Sequence, residues 1–369
     1  MTGVEVMRSE RGVLAAVAAV ALLGIASCGT KPPPPPPPPT GPTLGGEGTV
    51  APIDAPATDA GAADAAPVVE APSAGPGVTV LVKDLHGPNA LAVDKGSVYW
   101  VDEGDGDLAR VPKRGGVTMT VYAGNNAPFL AASSIAVDDT DVYWTSQVDK
   151  TSTLQRQDKN GGKPTVVASS TFAVLGCVVV DEASMYWVGG GGIMKAAKSG
   201  GAPAALAGGQ KGADCVAVDD KKIYWSNGGS DAAKFADGAI VEATKGGANV
   251  RVLVKGAEHA ANVHVDDKNV YWQAGDKVMK ASKAKGDATM LAQAPGPIAD
   301  IAVDDANVYF AFSTGVGRVP KDGGTADTLA GNQSTPTSIG VDASSVFFTT
   351  RGTEAGKWHD GALSKIDKH

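Results

Sequence analysis

One phrase, repeated seven times, constrains this chain more than any other feature. Val-Asp is followed by three residues, then by an aliphatic residue and two aromatics. It reads Val93-Asp94 with Val98-Tyr99-Trp100, Val137-Asp138 with Val142-Tyr143-Trp144, and Val180-Asp181 with Met185-Tyr186-Trp187. It continues as Val218-Asp219 with Ile223-Tyr224-Trp225, Val265-Asp266 with Val270-Tyr271-Trp272, Val303-Asp304 with Val308-Tyr309-Phe310, and Val341-Asp342 with Val346-Phe347-Phe348. The intervals are 44, 43, 38, 47, 38 and 38 residues. Short strands and Gly-rich turns recurring at such a period read as the blades of a β-propeller. Fourteen of the 20 aromatic residues occupy these slots, so the low aromatic fraction of 5% is itself a repeat signature.

Each copy supplies four strands: a run into Val-Asp, the aromatic strand, a third strand beginning near Leu108 and its counterparts, and a fourth after a Gly-Gly or Lys-Gly turn. Val98 and Trp100 point to one face of the strand and Tyr99 to the other. Both faces are apolar, as a blade packed between two neighbours requires. The last copy ends after its third strand, at Leu363 to Ile366, while an unpaired strand, Val78 to Lys83, precedes the first copy. The expectation is an all-β, seven-bladed propeller over residues 77–369, closed by the N-terminal strand joining the last blade.

The aromatic phrase resembles the Tyr-Trp-Thr-Asp class of propeller repeats. The whole repeat resembles TolB-like and NHL-like propellers and the bacterial lipoproteins built from them. The resemblance covers about 290 residues and implies a fold rather than an activity. Two departures stand out: only the first copy has an Asp two residues after its Trp (Asp102), and Tyr-Trp-Thr-Asp domains have six blades.

The segment before the repeats divides in two. Residues 1–27 read as a signal peptide: Arg8 and Arg11, then an apolar stretch from Val13 to Ile25, too short to span a bilayer comfortably. It ends in Ile25-Ala26-Ser27-Cys28, which resembles the bacterial lipobox and implies lipidation of Cys28. Gly29 in place of Asp leans towards the outer membrane. Residues 28–76 read as a disordered linker, with 14 of the 23 prolines, eight of them consecutive from Pro32 to Pro39. That run alone is a stiff polyproline spacer of roughly 25 Å. The net charge of −8, half of it in the linker, argues against nucleic acid. The expected localisation is the bacterial cell envelope, with the membrane reached through the lipid and the protein a monomer.

Within the repeats, the seven aspartates fall at the turn between first and second strands, where Asp bonds the backbone two residues on. Lys113, Lys159, Lys198, Lys245, Lys283, Lys321 and Lys368 fall at the third-to-fourth turn or, for Lys368, at the chain end. Both sets lie on one face and read as solvated turn residues of offsetting charge, their exposed pairs contributing little. Cys177 and Cys215 share a slot three residues before the Val; Ala90, Ser134, Asn262, Asp300 and Ser338 hold it elsewhere. Equivalent positions on adjacent inner strands converge near the axis, and an envelope compartment permits disulfides, so a Cys177–Cys215 bond is expected.

Function is expected on the opposite face, in loops of irregular length. Blade one carries Asp102-Glu103-Gly104-Asp105-Gly106-Asp107. This superficially resembles a calcium loop, with Asp102, Asp105 and Asp107 as candidate binding residues. It lacks the distal Glu and reads as a solvated acidic turn, with calcium or another divalent metal as the alternative; no cofactor is expected. Blade four inserts Ser226 to Ala239, with Phe235, and blade seven inserts Thr349 to Ala362, with Trp358 and His359. These aromatics are either binding anchors or covers packed over a blade. Asn262, His264 and Asp300 are candidate residues at the channel mouth. The preferred reading is a non-catalytic protein- or ligand-binding scaffold module, with an envelope protein or a glycan as its partner. The alternatives are a propeller enzyme of the lactonase or lyase kind, and carbohydrate binding through Trp358 and Phe235.

Overall fold

A strand with apolar residues on both faces has two faces to bury, and the central positions of the seven aromatic strands bury both. The structure, a computed structural model, describes residues 77–124, 131–171 and 175–368. The leader, Cys28 and the 28–76 segment lie outside the described residues. Among the described residues, twenty-eight strands form seven four-stranded antiparallel sheets. Blade one runs outward from Pro88–Val93 through Ser97–Asp102 and Asp107–Pro112 to Met119–Tyr122, and blades two to six repeat that order. Blade seven takes Pro336–Val341, Ser345–Thr350 and Gly361–Asp367 from the C-terminus and completes itself with Thr79–Leu85. Thr79 lies opposite Lys365 and Leu85 opposite Gly361, so the expected closure is present, its strand running two residues beyond Lys83.

The core is seven equivalent clusters, one at each seam between blades. Tyr99 of blade one packs with Trp144 of blade two, Tyr143 with Trp187, Tyr186 with Trp225 and Tyr224 with Trp272. Tyr271 packs with Phe310, Tyr309 with Phe348, and Phe347 with Trp100 closes the circle. Alternation along one strand therefore sends Tyr into the following seam and Trp into the preceding one. Each of these rings is at most 2% exposed. At roughly 25 cal/mol per Å² and about 150–250 Å² per ring, each contributes several kcal/mol, as an upper bound.

Burying a tyrosine requires a partner for its hydroxyl, and the phrase supplies one. Asp94 Oδ1 accepts the turn amides of Gly96 and Ser97, both at 2.8 Å, while its Oδ2 accepts the Tyr99 hydroxyl at 3.1 Å. The same Tyr-to-Asp bond recurs at 2.8–3.1 Å through Tyr309. The lysines correct the expectation of solvated turn residues. Each crosses to the aspartate of the preceding blade at 2.5–2.9 Å, from Lys159–Asp94 round to the closing pair Lys113–Asp342. Their side chains are only 8–26% exposed, because the lysine stem lies along the neighbouring blade. Five of the ammonium groups also lie 4.7–5.6 Å from the centroid of the Tyr ring they cover.

Burial alone would raise these carboxyls. The lysine and turn-amide hydrogen bonds outweigh it and hold all seven below the usual range, Asp94, Asp219 and Asp342 at about 2. A depressed carboxylate stabilises the fold above its unfolded pKa, and that stabilisation disappears as pH falls through the folded value. Lys159→Met is expected to cost about 1–3 kcal/mol in urea denaturation at pH 7, because it strands a half-buried carboxylate. Lys95→Met, whose partner Asp139 is 82% exposed, is expected to cost less than about 0.5 kcal/mol. The Lys159→Met deficit should shrink as pH drops from about 4 towards 2.

Candidate functional site

Six of the seven inner strands depart from a regular ladder, while Val178–Val180 of blade three keeps its register. The register shift falls beside the shared slot in each of the six, from Pro88/Leu91 to Pro336/Ser338. Such bulges re-aim a side chain, and here they turn it towards the next blade. Ser134 Oγ accepts the Val178 amide at 3.0 Å. Cys177 and Cys215 form the expected disulfide between blades three and four. Asp214, one residue before the slot, accepts the Asn262 amide at 3.0 Å, and Asn262 Nδ2 donates to the Ala299 carbonyl at 2.8 Å. Asp300 accepts the Ser338 hydroxyl at 2.8 Å and the Ile339 amide at 3.0 Å. Ser338 Oγ accepts the Leu91 amide at 3.2 Å. Only Ala90, at the seam of blades one and two, has no polar side-chain atom to offer.

Asn262 and His264 are the third and fifth residues of Ala260–Val265, and Asp300 is the third of Ile298–Val303. All three are half-buried along the inner strands. Burial lowers His264 to about 4 against its hydrogen bond to the Ile301 backbone. Burial raises Asp300 to about 6 despite three hydrogen bonds, with the charge of Asp214 adding to the rise. This set is already engaged in joining blades.

A second cluster forms on the opposite face, where ring closure brings the end of the N-terminal strand against blade seven. His86 Nδ1 is 3.2 Å from Asp105 Oδ1, and its ring stacks on His359 with centroids 3.7 Å apart. Gly104 makes this approach feasible: a Cβ there would lie 2.3 Å from the His86 ring. Glu103 accepts Asn89 Nδ2 at 2.8 Å and faces Arg351 at 3.5 Å, while the Arg351 guanidinium lies 5.6 Å from the Trp358 ring centroid. Trp358 itself is 37% exposed. Asp107 accepts the Gly124 amide at 2.8 Å. The acidic loop is not uniformly a solvated turn: Asp102 is 5% exposed, because its Oδ2 accepts the His86 amide at 2.9 Å. Among the described residues no group of three or more His, Cys, Asp or Glu is placed to hold a metal ion.

The insert carrying Trp358 has a twin in blade four. Gly229-Ser230-Asp231-Ala232-Ala233-Lys234-Phe235-Ala236-Asp237-Gly238 aligns residue for residue with Gly352-Thr353-Glu354-Ala355-Gly356-Lys357-Trp358-His359-Asp360-Gly361. Asp237 accepts both the amide and the hydroxyl of Ser230, and Asp360 does the same with Thr353. The Phe235 amide donates to Ser230 O and the Trp358 amide to Thr353 O. Both loops place Lys-aromatic in the left-handed region, with φ of 51° and 66° in one and 52° and 63° in the other. In each, a ring of the insert meets a histidine entering the next blade: Phe235 meets His259 at 4.0 Å, as His359 meets His86. The sequence reading singled out both inserts but not their kinship, which aligning them with each other would have revealed. It also passed over His86, whose role depends on closure.

Asp102 Oδ1 has no hydrogen-bond partner. Burial raises this carboxyl to about 6; Asp105 and Asp107 push the same way, and His86 opposes them. A raised carboxyl favours the folded state while protonated, and that advantage is lost as pH rises through 6. Asp102→Asn is therefore expected to stabilise the protein by about 1–3 kcal/mol at pH 8 and to be nearly neutral below pH 4, read by thermal melts across pH.

The chain matches no family model, and no curated protein matches it in sequence. In structure it is similar to virginiamycin B lyase from Staphylococcus aureus, with 14% identity, a TM-score of 0.61, and 79% of this chain covering 98% of that one. A streptogramin B lyase gives 12% identity and a TM-score of 0.63, over 80% of this chain and 98% of that one. A catalytically inactive virginiamycin B lyase with quinupristin gives 13% and 0.62, over 79% and 98%. At these identities the likeness is one of β-propeller fold.

Proposed function

We propose that this protein is a lipid-anchored bacterial envelope propeller that binds a protein partner through its loop face, without catalysis. The observation that carries the reading is the exposed Trp358, held on a fixed loop in a left-handed conformation that costs free energy and persists only when its surroundings enforce it. Trp and Arg dominate the energetics of protein interfaces, and Trp358 is backed by Arg351. The twin loop lies on the same face, with its Phe235 half-buried against His259. The composition of residues 28–76, eight consecutive prolines followed by a stretch rich in Ala, Gly and Pro, supports a tethering role.

The lipid anchor has its own test. Cys28→Ser should abolish incorporation of labelled palmitate and release the protein from the membrane fraction; unchanged labelling would remove the anchor from the reading.

A second reading is favoured by one observation, the His86–Asp105 pair with His359 stacked against it, since a histidine oriented by a carboxylate can move protons. The fold is shared with lyases, one of them solved with quinupristin. Two measurements separate the readings. Crosslinking in intact cells followed by mass spectrometry should recover a partner with the wild type, lose most of it with Trp358→Ala, and retain it with Lys95→Met on the other face. Purified protein should leave quinupristin unaltered by chromatography. Consumption of quinupristin that stops with His86→Ala would replace the binding reading with the enzymatic one.

A further inference from the structure

The residue paired with the phrase's first aromatic on the third strand is Arg110, Arg156, Lys195, Glu242, Lys280, Arg318 or Lys365. In most blades it is committed. Arg156, Lys195 and Lys280 cross the seam to the backbone carbonyls of Lys198, Lys245 and Lys321. In blade four Glu242 binds Lys222 and Arg251, and Arg251 reaches the Lys283 carbonyl in its stead. Arg318 and Lys365 remain on their own blades, paired with Asp327 and Asp367.

Arg110 differs from all of these. Its guanidinium meets only the Tyr99 hydroxyl at 3.3 Å, the Met119 sulfur at 3.8 Å and the face of the Tyr99 ring at 5.9 Å. Among the described residues it is the one cation of the set with neither a carboxylate nor a carbonyl. Its failure to cross leaves a cleft of about 300 Å³ between blades one and two, on the face of the Asp–Lys ring. The blade-six seam, which Arg318 does not cross, has a smaller hollow of about 120 Å³.

We propose that the cleft between blades one and two binds a small organic carboxylate through Arg110. Cleft charge supports this class of ligand. Asp94 is engaged by Lys159, its turn amides and Tyr99, and Asp139 pairs with Lys95 at 3.0 Å, which leaves Arg110 as the unbalanced charge. A guanidinium presents a planar fork that matches a carboxylate with two parallel hydrogen bonds, and such charge-assisted bonds are the strong ones. The volume is at the small end of ligand pockets, suited to an amino-acid-sized molecule or the last residue of a peptide. Asn160 and Ser97 on the walls can contact the rest of such a ligand. The site lies on the face opposite Trp358, so it does not depend on the loop-face reading.

Isothermal titration of the protein with acetate, alaninate, free-acid dialanine and C-terminally amidated dialanine tests the proposal. Binding of the free acids and not of the amide is expected. Alaninate matching dialanine would identify a free acid as the ligand; stronger binding of dialanine would identify a peptide C-terminus. Arg110→Met should weaken association by about tenfold or more, and Arg110→Lys should restore part of it. Arg156→Met, the equivalent change where the cation is already committed, should leave the affinity unchanged. Equal binding by Arg110→Met, no heat with any of the free acids, or inorganic phosphate binding as tightly as they do would overturn it.

Discussion

A ring of blades is held by its seams, and six of the seven seams here depend on one buried tyrosine needing a partner for its hydroxyl. The Tyr ring supplies apolar area to the gap between blades, but its oxygen would be costly there alone. The aspartate five residues earlier accepts it, and the next blade's lysine neutralises that aspartate. One residue thus joins the aromatic core to a charged lattice on the rim, and the unit repeats round the ring. In blade seven Phe347 takes the Tyr position and needs no acceptor; Asp342 keeps its lysine, Lys113, across the closing seam.

The axis is stitched by different chemistry serving the same purpose. Hydroxyl, carboxylate, amide and disulfide each occupy the shared slot and each reach the following blade. Varied chemistry at equivalent positions looks like a catalytic constellation when read along the chain. In space it is a series of alternative links. The seam of blades one and two lacks this link at Ala90 and lacks the third-strand crossing at Arg110, and it is there that a cleft opens. On the other face, two inserts of kindred sequence carry their Lys-aromatic turns in the left-handed region.

Much of this was legible in the residues. The Val-Asp phrase marked the turns, its aromatics the core strands, and the unpaired N-terminal strand the closure. Cys177 and Cys215 were legible as a pair because a repeat converts equal position into spatial adjacency. The lysine series was visible too, but its partners were not: Lys159 bonds an aspartate 65 residues earlier, and nothing in local spacing shows that its stem is buried against another blade. Asp102 read as solvent-facing, because an acidic loop gives no sign that a backbone amide 16 residues away will cover it.

Sequence alone determined the number of blades, the order of strands within them and which side chains enter the core, since these follow from periodicity and strand alternation. Tertiary structure decided which charges were buried, which slots became links between blades, and where a histidine, an acid and an exposed tryptophan came together. The physical reason is closure. Pairing Thr79–Leu85 with the last blade sets His86 beside His359, residues far apart in sequence, and the electrostatics of every seam depend on a neighbour that the local sequence does not name.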